Sequence, residues 1–259
     1  MTISVGAPTE LEMQIAVARM PGLTLEEELS VTVDGSPVTP EEIIDNYGGR
    51  IHRMSVSSGT VQVDYKASVT TPADPAPVAD TDHSVYLRPS RYAECDKFFG
   101  FAAGQFDASL PPGELLNQVT AYVEDRLDYI PGASDPIDGA ADTLLAGAGV
   151  CRDYAHLVVA LLRALNIPAR LVAVYAPGCD PMDFHAVAEA LIDGAWVVVD
   201  ATRLSPRQSL VRISTGRDAA DTAFLDNHGG SINLDAYEVT AVVRGELPAD
   251  DGSGRISIG

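Results

Sequence analysis

The chain has 259 residues, 46% of them hydrophobic, and its 37 acidic against 17 basic residues give a net charge of −20. A field of this sign repels nucleic acid phosphates, and no basic stripe counters it, so we expect no nucleic acid partner. No apolar run approaches the roughly 20 residues that a membrane span needs. The first residues also lack a signal-peptide pattern, so we expect a cytoplasmic protein without a membrane partner.

The N-terminal part has β character. Between residues 11 and 71, apolar and polar residues partly alternate in four segments, LEMQIAVAR, EEELSVTV, RIHRMSVS and TVQVDYKASV. The acidic run Glu26-Glu27-Glu28 is interpreted as solvated surface rather than as a calcium site.

Three prolines between residues 71 and 78 then indicate a stiff linker. We therefore place a β-rich domain with its linker at 1–78 and a second domain at 79–246. The polar, glycine-bearing residues 247–259 are predicted to form a flexible tail.

Two helices are predicted in the second domain before its most regular stretch. Pro112 to Tyr129 carries apolar residues along one side, and Ala140 to Leu145 forms a second, shorter helix. Both precede a turn at Gly147 and Gly149. The chain should therefore leave the shorter helix and start a new one close to residue 151.

The stretch from Gly147 to Arg170 places a cysteine at the start of the most regular helix. From Tyr154 onward, apolar residues recur at steps of three and four until Pro168 ends the pattern. Cys151 should lie in the first turn, where unpaired N–H groups favour a negative charge. A lone cysteine is more often a small buried apolar residue, so the helix alone leaves both interpretations open.

Two β-rich runs joined by Asp193-Gly194 predict a hairpin downstream of that helix. With a two-residue turn, Val187 faces Asp200 across the hairpin. His185 then becomes a diagonal neighbour of Asp200 on the same face, roughly 7 Å away between Cβ atoms. A three-residue turn would place the two side chains on opposite faces.

The segments GVCRDYAHL, DFHA and VVVDATR resemble the transglutaminase-like superfamily, specifically its bacterial cysteine proteases with an N-terminal β-domain. The resemblance runs from about Tyr86 to Val243. It implies an α+β, papain-like fold in which a central helix packs on an antiparallel sheet. It also implies a catalytic triad of Cys151, His185 and Asp200. Val187 departs from the pattern, because many relatives carry a tryptophan there.

The implied chemistry is amide hydrolysis through a thioester. Cys151 attacks the carbonyl carbon, His185 moves the proton, and Asp200 orients the imidazole. The backbone N–H of Cys151 is the first candidate to stabilise the oxyanion, with Tyr129 or Gln105 as the second donor.

Several charged residues are predicted to support the site rather than to react. Asp153 is expected to cap the helix, whereas His156 is expected to be a hydrogen-bonded core residue. The residues expected to brace the site through ion pairs are Arg203, Arg217, Asp218 and Asp221. Arg88 and Arg91 are weighed as ligands for a substrate carboxylate against an ordinary structural role.

Three functions stay open at this point. The first is a cysteine peptidase or amidase with a protein or peptide substrate, and the second is a transglutaminase that passes the acyl group to an amine. The third is a non-catalytic binding domain. The odd, sparse set Cys95, Cys151 and Cys179 argues against a disulfide framework and fits a reducing compartment. No C-x-x-C or H-x-x-x-H spacing occurs, so neither a metal nor another cofactor is expected.

Overall fold

The computed structural model describes residues 1–259 and combines a helix-backed sheet with a β-rich part made of two further sheets. No helix in it has the length and apolar character needed to cross a membrane. The α+β architecture predicted from the sequence is confirmed, including the central helix on an antiparallel sheet.

Four antiparallel strands form the helix-backed sheet, in the order β12-β11-β10-β13. Their bounds are Ala169–Tyr175 for β10, His185–Ile192 for β11, Ala195–Val199 for β12 and Val211–Gly216 for β13. Asp193 and Gly194 both have positive φ, at 50° and 82°, and Ile192 pairs with Ala195. This is the two-residue turn whose twist suits a hairpin. The predicted register of the β11–β12 hairpin is therefore confirmed.

Helix α5 (Cys151–Ala164) packs on this sheet with almost no exposed surface. Its leucines Leu157, Leu161 and Leu162 are fully buried in the largest hydrophobic core. The remaining helices are α1 (Asp82–Val85), α2 (Phe99–Gln105), α3 (Pro112–Arg126) and α4 (Ala140–Ala146), with 3-10 turns at Cys95–Lys97 and Arg207–Ser209. Because α3 and α4 both pack against α5, the start of α5 is held in a fixed position.

The helix predicted over Pro112 to Tyr129 is three residues too long at its C-terminal end. Leu127 is already extended, with φ −110° and ψ 137°. Asp128 and Tyr129 form the short strand β8, which pairs in parallel with β9 (Ala148–Gly149). This pairing brings Tyr129 next to the glycine turn that precedes Cys151.

The β-rich part is two sheets over one shared core. One sheet has the order β15-β1-β7-β3-β4 and the other β14-β2-β6-β5. Apolar residues from both sheets, among them Ile3, Leu11 and Val61, are fully buried between them. The strands are β1 (Thr2–Ala7), β2 (Thr9–Met13), β3 (Thr24–Val33), β4 (Ser36–Pro37), β5 (Glu41–Ile44), β6 (Arg50–Val56), β7 (Gly59–Thr71), β14 (Leu225–His228) and β15 (Ser231–Ala236).

Both ends of the chain contribute to the β-rich part. Thr2 pairs with Ala236, and Met13 pairs with Leu225, so β14 and β15 complete sheets that began at the N-terminus. These two strands lie inside the range 79–246 that the sequence assigned to the second domain. The division at residues 78 and 246 stays a prediction.

Residues 247–259, whose flexibility stays a prediction, make several contacts with the rest of the chain. The backbone carbonyl of Ile256 accepts the N–H of Val198 at 2.8 Å, so the tail bonds to the outer edge of β12. Arg212 donates to the carbonyl of Ile258 at 2.9 Å, and the Ile258 side chain is only 6% exposed. The segment is polar overall, so its composition did not point to Ile256 and Ile258. The apolar side chains of these two residues favour packing against the sheet.

Ile258→Ala should therefore lower the free energy of unfolding by about 2–4 kcal/mol, because it removes a buried side chain. Urea unfolding followed by circular dichroism measures this change. The matched control is Ile137→Ala, since Ile137 is 69% exposed, and its effect should stay within about 0.5 kcal/mol. Equal, small effects would mean that the tail does not pack in solution.

Candidate active site

Cys151 is the first residue of α5, and its side chain is half-buried. Gly147, with φ 70°, turns the chain out of α4, and Val150 is extended just before α5 begins. A Cβ on Gly149 would lie 2.7 Å from the Cβ of Asp153, so only glycine allows this close approach. As the first helical residue, Cys151 has a backbone N–H without an acceptor inside the helix.

Asp153 caps the N-terminus of α5, as predicted. Its Oδ2 accepts the N–H of Val150 at 2.8 Å, and its Oδ1 accepts the hydroxyl of Ser134 at 2.9 Å. Arg152 donates to the same Oδ1 at 3.3 Å. The carboxylate is buried and fully engaged, so it fixes the turn that carries Cys151 and is not free to take part in proton transfer.

Asp153→Ala should destabilise the protein by about 1–2 kcal/mol, because the cap is lost and buried partners are left unsatisfied. The matched control is Asp142→Ala, since the exposed Asp142 caps α4 in the same way, accepting the N–H of Gly139 at 3.0 Å. We expect about 0.5 kcal/mol for the control. Chemical denaturation compares the two variants, and a larger loss for Asp142→Ala would contradict the importance of the α5 cap.

His185 and Asp200 meet at the open end of the hairpin. Nε2 of His185 lies 2.9 Å from Oδ2 of Asp200, and both side chains are almost completely buried. The other carboxylate oxygen, Oδ1, accepts the backbone N–H of Thr202 at 2.9 Å and its hydroxyl at 2.6 Å. Asp200 is thus held by three hydrogen bonds, and the predicted same-face arrangement of His185 and Asp200 is confirmed.

The electrostatics of His185 depend on its two neighbours. Burial alone would lower the pKa of His185, but the charges of Asp200 and Cys151 outweigh it, so the pKa lies well above its ordinary value. Hydrogen bonds to both neighbours act in the same direction. Because Nε2 is used by Asp200, Nδ1 is the nitrogen left for Cys151. The imidazole therefore lies between a carboxylate and a thiol.

Tyr129 lies beside Cys151, whereas Gln105 does not join the site. Burial first, and then the negative charge of Cys151, raises the pKa of Tyr129, while a hydrogen bond from the Cys151 backbone lowers it. Gln105 is exposed at the end of α2, and its side chain makes no hydrogen bond. Of the two candidates for a second oxyanion donor, Tyr129 is the one with a contact to the reacting residue.

The charged residues predicted to brace the site bond elsewhere. Arg203 pairs with Glu124 of α3 at 3.1 Å, and Arg217 pairs with Asp221 at 2.8 Å, both on the surface. Asp218 is buried, and its carboxylate accepts the backbone N–H of Tyr92 at 2.8 Å. Only the pair of Arg203 and Glu124 joins a loop to a helix, and none of these contacts involves His185 or Asp200.

His156 is a core histidine, as expected. Its ring stacks on Tyr92 with centroids 5.3 Å apart, and its Nε2 accepts the backbone N–H of Ala219 at 3.1 Å. Complete burial lowers the pKa of His156 to about 3, so the ring is neutral. Arg91 lies over the same tyrosine ring and donates to the carbonyl of Ile137, which is a structural role.

An aromatic cluster next to Cys151 is not predicted by any local sequence pattern. The Cys151 sulfur lies 3.9 Å from the carbonyl oxygen of Phe184, whose ring stacks on Phe224 at 4.8 Å. Tyr237 lies against both rings. Val187 is buried in a separate hydrophobic cluster with Val172 and Val198. The residues come from separate parts of the chain, so no local motif announces them.

Comparisons with known proteins show the superfamily to which the fold is similar. Residues 100–201 match the family model of the transglutaminase-like superfamily. The crystal structure of a candidate cysteine protease from Cytophaga hutchinsonii is 33% identical, with a TM-score of 0.79, over 94% of this chain and 91% of that protein. An uncharacterized protein of Mycobacterium leprae is 26% identical over 53% of this chain and 52% of its own length. One of Mycobacterium tuberculosis is 31% identical over 47% and 43%. The chain thus spans about half the length of the curated relatives that it matches.

Proposed function

Because the chain belongs to the transglutaminase-like superfamily, we propose that it is a cysteine-dependent hydrolase of protein or peptide amides. The observation that supports this most directly is the position of His185, bonded to Asp200 at 2.9 Å and interacting with Cys151 at the start of α5. A buried carboxylate, an imidazole and a thiol in this order are the components of nucleophilic acyl transfer.

The proposed reaction has two steps. His185 takes the proton of the Cys151 thiol, and the sulfur attacks the amide carbonyl carbon. The resulting tetrahedral oxyanion is stabilised by the Cys151 N–H and the Tyr129 hydroxyl. His185 gives its proton to the nitrogen, so the C–N bond breaks, the amine leaves and a thioester remains. His185 then takes a proton from water, which attacks the thioester and releases the carboxylate and the thiol.

The accessibility of Cys151 favours hydrolysis over transfer to an amine. Cys151 is partly exposed, so water can reach a thioester formed there. A transglutaminase must keep water away until an amine arrives. We therefore favour hydrolysis, and the experiment that follows separates it from acyl transfer to an amine and from a non-catalytic role.

The test is to incubate the purified protein with an unfolded protein mixture in ¹⁸O-water, with a biotinylated primary amine added. We expect new carboxyl termini that contain ¹⁸O and little biotin incorporation. Predominant biotin incorporation would instead identify a transferase. The absence of both products, with the substrate intact, would support a non-catalytic domain. A parallel reaction with Cys151→Ser controls for contaminating proteases.

We also propose that the enzyme works in the cytoplasm. All three cysteines are free thiols, and the proposed nucleophile needs a reduced sulfur, which a reducing compartment maintains. Fractionation of cells that produce the tagged protein tests this, and recovery outside the cytoplasm would contradict it.

A further inference from the structure

Phe184, Phe224 and Tyr237 form an aromatic wall beside Cys151. Phe184 precedes the active-site histidine, Phe224 precedes β14, and Tyr237 follows β15. Ring centroids are 4.8 Å apart for Phe184 and Phe224 and 5.9 Å apart for Phe224 and Tyr237. The three rings therefore form one continuous apolar surface, which the proposed reaction does not use.

The aromatic wall is partly open to solvent and lies close to the reacting sulfur. Phe184 and Phe224 are half-buried, and Tyr237 is 45% exposed. The carbonyl oxygen of Phe184 is 3.9 Å from the Cys151 sulfur. Burial raises the pKa of Tyr237 most, followed by the nearby Asp183. The charge of Cys151 raises the pKa of Tyr237 further.

The position of the wall is fixed from both ends. The Tyr237 hydroxyl donates to Oδ2 of Asp183 at 3.1 Å, which links the segment after β15 to the residue before Phe184. Behind Phe184, Tyr175 lies 5.9 Å away and donates its hydroxyl to the carbonyl of Ile15 at 2.7 Å. An ordered, partly exposed aromatic surface next to a nucleophile is suited to hold a flat apolar group.

We propose that the aromatic wall binds an aromatic or large aliphatic side chain of the substrate, on a residue close to the scissile amide. This inference rests on the proposed function and names the substrate class for it. The β-rich part then has a role in the site, because the wall residues Phe224 and Tyr237 flank strands of its sheets.

There is space for more of the substrate beyond the wall. A cavity of about 1350 Å³ lies between β7, β13 and the segment after β15, and Tyr175, Phe184 and Tyr237 line part of it. The cavity adjoins the wall at Phe184 and Tyr237, whereas Cys151 is not among the residues that line it. An apolar surface near the sulfur with a large cavity beside it suits a peptide better than a small amide.

The test compares two alkylating agents at Cys151, so it does not depend on turnover. Rates for N-benzyl iodoacetamide and for iodoacetamide are measured by mass spectrometry of the Cys151 peptide, and their ratio is divided by the same ratio for glutathione. If the wall binds the benzyl group, this preference should be roughly tenfold, as expected for partial burial of an aromatic ring. A preference equal to that of glutathione would overturn the inference.

Variants separate the wall from other effects. Phe224→Leu and Tyr237→Ala should each reduce the benzyl preference several-fold, whereas Tyr237→Phe, which keeps the ring, should retain it. The matched control is Phe99→Ala, because Phe99 is 55% exposed and belongs to no aromatic pair. Circular dichroism checks that each variant is folded. An unchanged preference in both wall variants would sink the inference, while slow alkylation with an intact preference would count against the proposed function alone.

Discussion

Cys151→Ala should abolish turnover, with a loss of roughly 10⁴-fold or more, because no other group can form the thioester. The fold should be almost unaffected. The thiol is partly exposed, and its polar contacts are His185 and the carbonyl oxygen of Phe184, which lies 3.9 Å away. We therefore expect the free energy of unfolding to change by less than about 1 kcal/mol. Single-turnover kinetics and urea unfolding measure the two quantities.

The matched control is Cys95→Ala. Cys95 is fully buried and donates to the carbonyl of Leu87 at 3.7 Å, so its loss should affect stability more than that of Cys151 and activity far less. Residual turnover within a few-fold of wild type in Cys151→Ala would disprove the proposed nucleophile. A large loss in both variants would indicate that the assay reports folding rather than chemistry.

The elements predicted correctly are those specified by short-range signals. Helix α5 follows from leucines at steps of three and four, ended by Pro168. The hairpin follows from Asp193-Gly194, because a two-residue turn sets the register of both strands at once. That register alone is enough to place His185 beside Asp200. The central geometry of the site was therefore available from the sequence.

The pairing between distant segments could not be predicted in this way. Strand β14 pairs with β2, and strand β15 pairs with β1, although more than 200 residues separate the partners in the sequence. A local sequence pattern does not predict which distant strand will be the partner. The tail is similar, since Ile256 and Ile258 find the edge of β12 only in the folded protein. Because these distant pairings bring Phe224 and Tyr237 to Phe184, the aromatic wall could not be predicted from the sequence.

The charged residues show a different reason for failure. Arg203 and Arg217 stand in segments that resemble further motifs of the family, Thr202-Arg203 and Gly216 to Asp221, and this resemblance suggested that they brace the site. In the structure each pairs with a carboxylate at the surface, Glu124 or Asp221. A motif does not determine which acidic side chain an arginine pairs with, and this chain has 37 acidic residues.

Asp200→Asn should lower the turnover rate by about 10²–10⁴-fold while the protein stays folded. Asparagine keeps the size of the side chain and can still accept from Thr202. It cannot supply the negative charge that stabilises the imidazolium, and it can favour the wrong tautomer of His185. Pre-steady-state measurement of acylation checks the rate, and a loss of less than a few-fold would point to another orienting group.

The same variant should change the pH dependence in a defined direction. Burial lowers the pKa of His185, and Asp200 makes the largest contribution that raises it. In the wild type the imidazolium therefore persists as pH rises, until the raised pKa is reached. Without the charge of Asp200, this pKa falls, so the alkaline limb of kcat/KM should move to lower pH.

Thr202→Val is the matched control, because it removes the 2.6 Å hydrogen bond to Asp200 but keeps the charge of Asp200. The alkaline limb of this variant should stay in place. An alkaline limb that does not move in Asp200→Asn would mean that the charge of Asp200 does not control the protonation of His185.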